Sequence, residues 1–166
     1  ALINLGLTYF DLGNMRHTIH FCEQALQIGR EIQDKRVQNA ALNNMGLAYA
    51  ALGDIQRAIK YYEEKILIAQ KIGDRRGEAN ALGDLGNAYA DIGNLSGAIA
   101  CYEKSLILHQ EVGDRRGEGT DLGNLGIDYA ELGDIQRAIG YYEDQLVIVN
   151  EIGDRRGEGN ALGNLG

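Results

Sequence analysis

Six residues, GDRRGE, occur at positions 73–78, 113–118 and 153–158, each copy forty residues after the one before. A motif that returns at a fixed interval marks a recurring structural unit, so the interval constrains the fold before any local pattern is read. The whole chain keeps it. Leu2, Leu42, Leu82, Leu122 and Leu162 share one phase, Gly6, Gly46, Gly86, Gly126 and Gly166 a second, and Tyr9, Tyr49, Tyr89 and Tyr129 a third. Gly13, Gly53, Gly93 and Gly133 follow, then Ile19, Ile59, Ile99 and Ile139. The 166 residues thus read as one array with no separate domain: a unit over about 1–33, full units over 34–73, 74–113 and 114–153, and a partial unit over 154–166.

Each unit reads as two helices. Leu42, Met45, Gly46, Tyr49 and Leu52 recur at steps of three and one, which stacks them on one helical face. Ile55, Ala58, Ile59, Tyr62, Ile66, Ala69 and Ile72 do the same and predict a second amphipathic helix of about five turns. Gly53 followed by Asp54 is a stop and a start, because glycine tolerates the left-handed conformation past a helix end and aspartate caps the next one. Asn14, Asn94 and Asp134 repeat that cap, and Gly73 with Asp74 joins one unit to the next in the same way. The paired arginines stay unexplained at this level, since cations near a helix N-terminus oppose its dipole.

Composition narrows the function. Sixteen basic against twenty-four acidic residues give a formal charge of -8, which disfavours a nucleic-acid partner. No stretch approaches the roughly 20 apolar residues of a membrane span. Cys22 and Cys101, one each in two units, suit reduced thiols in a cytoplasmic protein better than a disulfide framework or a zinc site. His17 and His20 share a helix face without a carboxylate at ligand spacing, and His109 is remote in sequence, so no metal or other cofactor is expected. Asp121 and Asp128 stand where most other copies hold alanine, seven residues apart on one helix, with no His or Lys nearby in sequence. A local weak point or an acidic patch for a basic partner fits them better than acid–base chemistry. With no nucleophile–base pair and no phosphate-binding glycine loop, the chain reads as a non-enzyme.

Leu42, Gly46, Tyr49, Gly53 and Ala58, with their equivalents at forty-residue spacing, resemble the tetratricopeptide repeat (TPR) over the whole chain. The usual period is about 34 residues and closes on a proline, whereas this one is longer and proline is absent. That long-helix variant is similar to prokaryotic TPR arrays, kinesin light chains and Pins-type adaptors. The resemblance implies an all-α, right-handed α-solenoid of about four antiparallel helix pairs, whose first helices line a concave groove. It maps the groove onto Asn4, Leu7, Asn43, Asn44, Leu47, Asn80, Asp84, Asn87, Asp91, Asn124, Ile127, Glu131 and Asn164. Asn4, Asn44, Asn124 and Asn164 fall in one phase, with Asp84 in the remaining slot, and a carboxamide ladder can hold a peptide backbone whatever its side chains.

Gly83, Gly123 and Gly163 either leave room for such a backbone or are tolerated drift. Arg75, Arg76, Arg115, Arg116, Arg155 and Arg156 form an edge column that either captures acidic partner side chains or pairs with the array's own Glu78, Glu111, Glu118, Glu151 and Glu158. Tyr61, Tyr62, Tyr102, Tyr141 and Tyr142 read as packing aromatics. The expectation is a scaffold that binds a partner protein or peptide, with neither nucleic acid nor membrane as partner. The alternative is a regulatory, sensing or oligomerising arm of a larger signalling ATPase or protease. The chain then reads as a slice of a longer array, associating head to tail through uncapped ends.

Overall fold

The computed structural model describes all 166 residues, as nine α-helices and no strand. They are α1 (Leu2–Asp11), α2 (Met15–Glu31), α3 (Lys35–Ala51), α4 (Ile55–Ile72), α5 (Arg75–Asp91), α6 (Leu95–Val112), α7 (Arg115–Glu131), α8 (Ile135–Glu151) and α9 (Arg155–Leu165). Capping sets the register. Asn14, Asp54, Asp74, Asn94, Asp114, Asp134 and Asp154 each accept from the backbone N–H three residues on, which satisfies one of the free donors of the helix they open. Glycine precedes all seven caps with φ between 68° and 81°, the region where a side chain is costly. The one degenerate junction puts Gln33 there at φ 57°, ahead of the cap Asp34.

Every helix packs against its neighbours in sequence, and α1 also touches α3, α5 touches α7, and α7 touches α9. The even-numbered helices make no comparable contacts with one another. An array tied more closely through its odd-numbered helices curves toward them, so these line the inner face of an α-solenoid. Its core is continuous from α2 to α6 through Leu26, Leu42, Met45, Tyr62 and Leu85, and a second cluster carries it on through Tyr102, Leu125, Tyr129 and Tyr142.

Close helix contact inside each pair depends on Gly46, Gly86 and Gly126. A Cβ built on Gly86 would meet Cε1 of the buried Tyr102 at 2.5 Å, and the other two glycines face Tyr62 and Tyr142 in the same way. The tyrosines divide by position. Tyr62, Tyr102 and Tyr142 are buried over the glycines, while Tyr61 stacks on Tyr49 and Tyr141 on Tyr129 with ring centroids 5.4 Å apart. Arg57 and Arg137 lie over Tyr49 and Tyr129.

Candidate functional site

The inner face carries a row of clefts between successive odd-numbered helices. One, of about 680 Å³, includes Ile3, Leu7, Asn43 and Asn44; another, of about 340 Å³, is lined by no hydrophobic residue and includes Asn80, Asp84, Asn87 and Asn124. A third, of about 580 Å³, lies between α7 and α9 and includes Asn124, Ile127, Asn160 and Asn164. Of the residues expected on the groove, Asn4, Leu7, Asn80, Asn87, Asp91, Ile127, Glu131 and Asn164 are exposed, and Asn43, Leu47, Asp84 and Asn124 are partly so.

Asn44 corrects the expectation of a uniform asparagine ladder. It is only 4% exposed, its carbonyl accepts from Asn43, and its Nδ2 has no partner. The remaining members are engaged unequally: the Asn124 amide donates to Asn87 at 3.4 Å, and Asp84 pairs with Lys65 at 3.5 Å. Lys65 comes up from α4 into the groove floor, 4% exposed, and also donates to Asn43 at 2.6 Å. Burial pushes the Lys65 ammonium down from its usual pKa and the Asp84 carboxyl up, so desolvation works against both charges of the pair.

The glycine phase is not uniform either. Gly123 lines the cleft between α7 and α9, and a side chain there would meet the terminal amide of Gln145 of α8, so the space beside it is shared with that flexible side chain. Gly83 has Ser105 of α6 at 3.8 Å from its notional Cβ, and only Gly163 faces open space. Asn43 with Lys65, Gly83 with Ser105, and Gly123 with Gln145 are therefore one contact repeated along the array, with the chemistry changed each time.

Asp121 overturns a further reading. His109, twelve residues earlier and across a junction, is 3% exposed and places Nδ1 at 2.8 Å from Asp121 Oδ2, with Ser105 at 3.4 Å from the same nitrogen. Asn80 Oδ1 faces the other ring nitrogen at 3.2 Å. Burial raises the Asp121 pKa and the hydrogen bonds from His109 and Ser105 oppose that rise. The acid is thus a hydrogen-bonded member of a buried polar network, and the expectation that no histidine stands near it is corrected.

The arginine pairs split. The first member of each lies along the array: Arg75 bridges Glu78 and Glu111 at 3.3 and 2.5 Å, Arg115 bridges Glu118 and Glu151, and Arg155 meets Glu158 at 2.7 Å. Arg75–Glu111 and Arg115–Glu151 are the exposed contacts that join the two helices of a unit, with little net energy apiece, while Glu78, Glu118 and Glu158 answer the arginine of their own helix. The second members turn toward the groove, where Arg76 reaches Asp114 at 3.2 Å and Arg116 and Arg156 line the clefts. No helix is long and apolar enough to cross a membrane.

Comparison with solved structures finds the same solenoid at low identity. The chain aligns over 98% of its length, at 21% identity and a TM-score of 0.90, with a signal transduction ATPase with numerous domains (STAND) from Pyrococcus horikoshii that carries a tetratricopeptide repeat sensor. It spans only 25% of that protein. A Rap protein complexed with Competence and Sporulation Factor matches over 94% of this chain and 44% of its own, at 14% identity and a TM-score of 0.83. A putative kinesin light chain from Podosopora anserina with nearly identical TPR-like repeats matches over 99% and 81%, at 17% identity and a TM-score of 0.82. No curated protein sequence matches the chain. The tetratricopeptide repeat model matches residues 1–64, 37–106 and 93–146, and with the forty-residue register and the paired helices this makes the chain a member of the tetratricopeptide repeat family.

Proposed function

We propose that the array is a non-catalytic interaction module, working in the cytoplasm, whose inner face takes an extended peptide or a helix of a partner protein. The row of asparagine-bearing clefts along the odd-numbered helices carries this reading. Carboxamides there donate and accept together, Leu7 and Ile127 offer exposed apolar contacts of 42% and 43%, and Arg116 and Arg156 supply charge. The fold is typically a binding scaffold, and the Rap complex shows one array of this kind with a bound factor. Selection of a random peptide library on the isolated chain is expected to enrich a consensus. Asn87→Ala with Asn124→Ala should weaken the selected peptide about tenfold or more, the loss of one or two hydrogen bonds, with the helical circular dichroism unchanged. No enrichment, or equal binding by the double variant, would remove the groove as the site.

The similarity to the STAND ATPase favours a second reading, in which the array is a sensing or oligomerising arm of a larger protein and associates head to tail. Sedimentation velocity over a wide concentration range separates the two. A monomer throughout supports the scaffold. Growth with concentration supports the arm, and its loss at high salt would point to the arginine column.

A further inference from the structure

Asp128 stands where two other units hold Ala48 and Ala88, so the fold itself does not require an acid there. It is 3% exposed, and its Oδ2 has no hydrogen-bond partner. A carboxylate in that state is costly, because burial removes its water and nothing replaces it. The donors around it are already engaged: the Tyr102 hydroxyl donates to Asn87 at 2.8 Å, and the Asn124 amide donates to the same oxygen. Asp128 lines a cleft of about 310 Å³ between α5 and α7, with Asp91 and Glu131 at its rim and Ala90 and Ile127 in its wall.

We infer that this cleft is a subsite for a lysine or arginine side chain of the partner peptide, its cation seated on Asp128 between Asp91 and Glu131 and its aliphatic stem lying along Ala90 and Ile127. The inference rests on the groove being a peptide-binding surface, and adds to it the chemistry of one anchor. An ammonium or guanidinium donates the hydrogen bonds that Asp128 lacks, and the two rim acids add to the field without needing desolvation. Its methylenes suit a wall that is part apolar. A bare metal ion fits less well, since no three acidic, histidine or cysteine groups stand close enough to hold one. The formal charge of -8 draws cationic partners toward the chain.

The groups facing Asp128 all lack positive charge: Asp91 from α5, Tyr102 from α6, Tyr142 from α8, and Glu131 along α7. Desolvation first and the Glu131 charge second push its carboxyl up to about 6. A cation favours the ionised form, so affinity should be full above that value and fall as the pH drops below it.

The test uses fluorescein-labelled (Ser-Xaa)4 peptides with Xaa as Lys, Arg, Asn or Glu, read by fluorescence polarisation at low salt. The lysine and arginine peptides are expected to bind about tenfold or more tighter than the asparagine peptide, the scale of a charge-assisted contact. Asp128→Ala and Asp128→Asn should each erase that preference, and acidification through about 6 should weaken the lysine peptide on the native chain alone. Unfolding cannot mimic this result, because Asp128→Ala installs the residue of the other units and should raise the melting temperature. If asparagine and glutamate peptides bind as well as lysine peptides, the groove reading stands and this subsite is wrong. Binding of lysine peptides unaltered by either substitution would reduce the preference to overall charge and equally overturn the inference. If no peptide binds at all, the groove reading fails and the subsite falls with it.

Discussion

Gly86→Val should lower the thermal midpoint by about 6–12 °C, the consequence of an overpacking cost near 3 kcal/mol in a chain of this size. The notional Cβ of Gly86 already lies 2.5 Å from Cε1, 2.8 Å from Cδ1 and 2.9 Å from Cζ of Tyr102, so a side chain must displace a ring and not merely rotate a flexible end. That ring is 2% exposed, packs among Ala98, Leu125 and Tyr129, and holds Asn87 through its hydroxyl, so it has nowhere to go without opening the junction between α5, α6 and α7. Helix propensity works the other way, by at most about 1 kcal/mol, and does not reverse the sign. Gly140→Ala isolates that propensity. Nothing lies within 4 Å of its notional Cβ, on an exposed position of α8, and the expected result is a gain of up to about 1 kcal/mol, a midpoint some 2–4 °C higher. Differential scanning calorimetry of the two variants checks both signs, and a native midpoint for Gly86→Val would mean that the Gly–Tyr contact does not set the spacing of the pair.

The phases that are constant along the chain were readable because each has a local physical cause. Gly46, Gly86 and Gly126 sit under Tyr62, Tyr102 and Tyr142, and the Gly-Asp junctions combine a left-handed turn with a cap, so residue type alone reveals the role. The groove floor was harder to read because its chemistry lies in the phases that vary. The positions of Ala25, Lys65, Ser105 and Gln145 share one phase and differ in every unit, facing Asn43 in one pair and the glycines Gly83 and Gly123 in the next two. His109 and Asp121 show the same covariation: other units hold Gly29 and Ala41, Ala69 and Ala81, or Val149 and Ala161 at those two places. Two small or apolar residues replaced together by a base and an acid mark a contact across the junction, and reading His109 by its distance along the chain missed it. Asn44 illustrates the opposite limit. Phase placed it with Asn4, Asn124 and Asn164, but equivalent positions differ in what their neighbouring units put over them, and Asn44, beside Cys22 of α2, is left at 4% exposure.

Asp84→Ala should cost about 2–3 kcal/mol at neutral pH, below the range for a fully buried ion pair because the contact is 3.5 Å long and the aspartate is 28% exposed. The loss comes from what is left behind. Lys65 stays 4% exposed with one hydrogen-bond acceptor, the neutral Asn43 carbonyl, and only the weaker field of Asp74 as counter-charge. Lys65→Met, in contrast, removes the group that resents burial and leaves Asp84 partly in water, and should stay within about 1 kcal/mol of the native chain. The pH dependence separates this from a simple loss of packing. Burial already holds the folded Lys65 pKa below the unfolded value of about 10.4, so its charge destabilises the fold fully below the folded pKa and ceases to do so as the pH approaches 10.4. Removing Asp84 takes away the partner that raises that pKa, which widens the gap. The deficit of Asp84→Ala relative to the native chain should therefore be largest at pH 6–7 and shrink steadily toward pH 10 in urea denaturation, and the same series in a Lys65→Met background should be flat. An equal deficit in both backgrounds, or one that does not change with pH, would show that Asp84 acts through its shape and not by holding a buried cation at the floor of the groove.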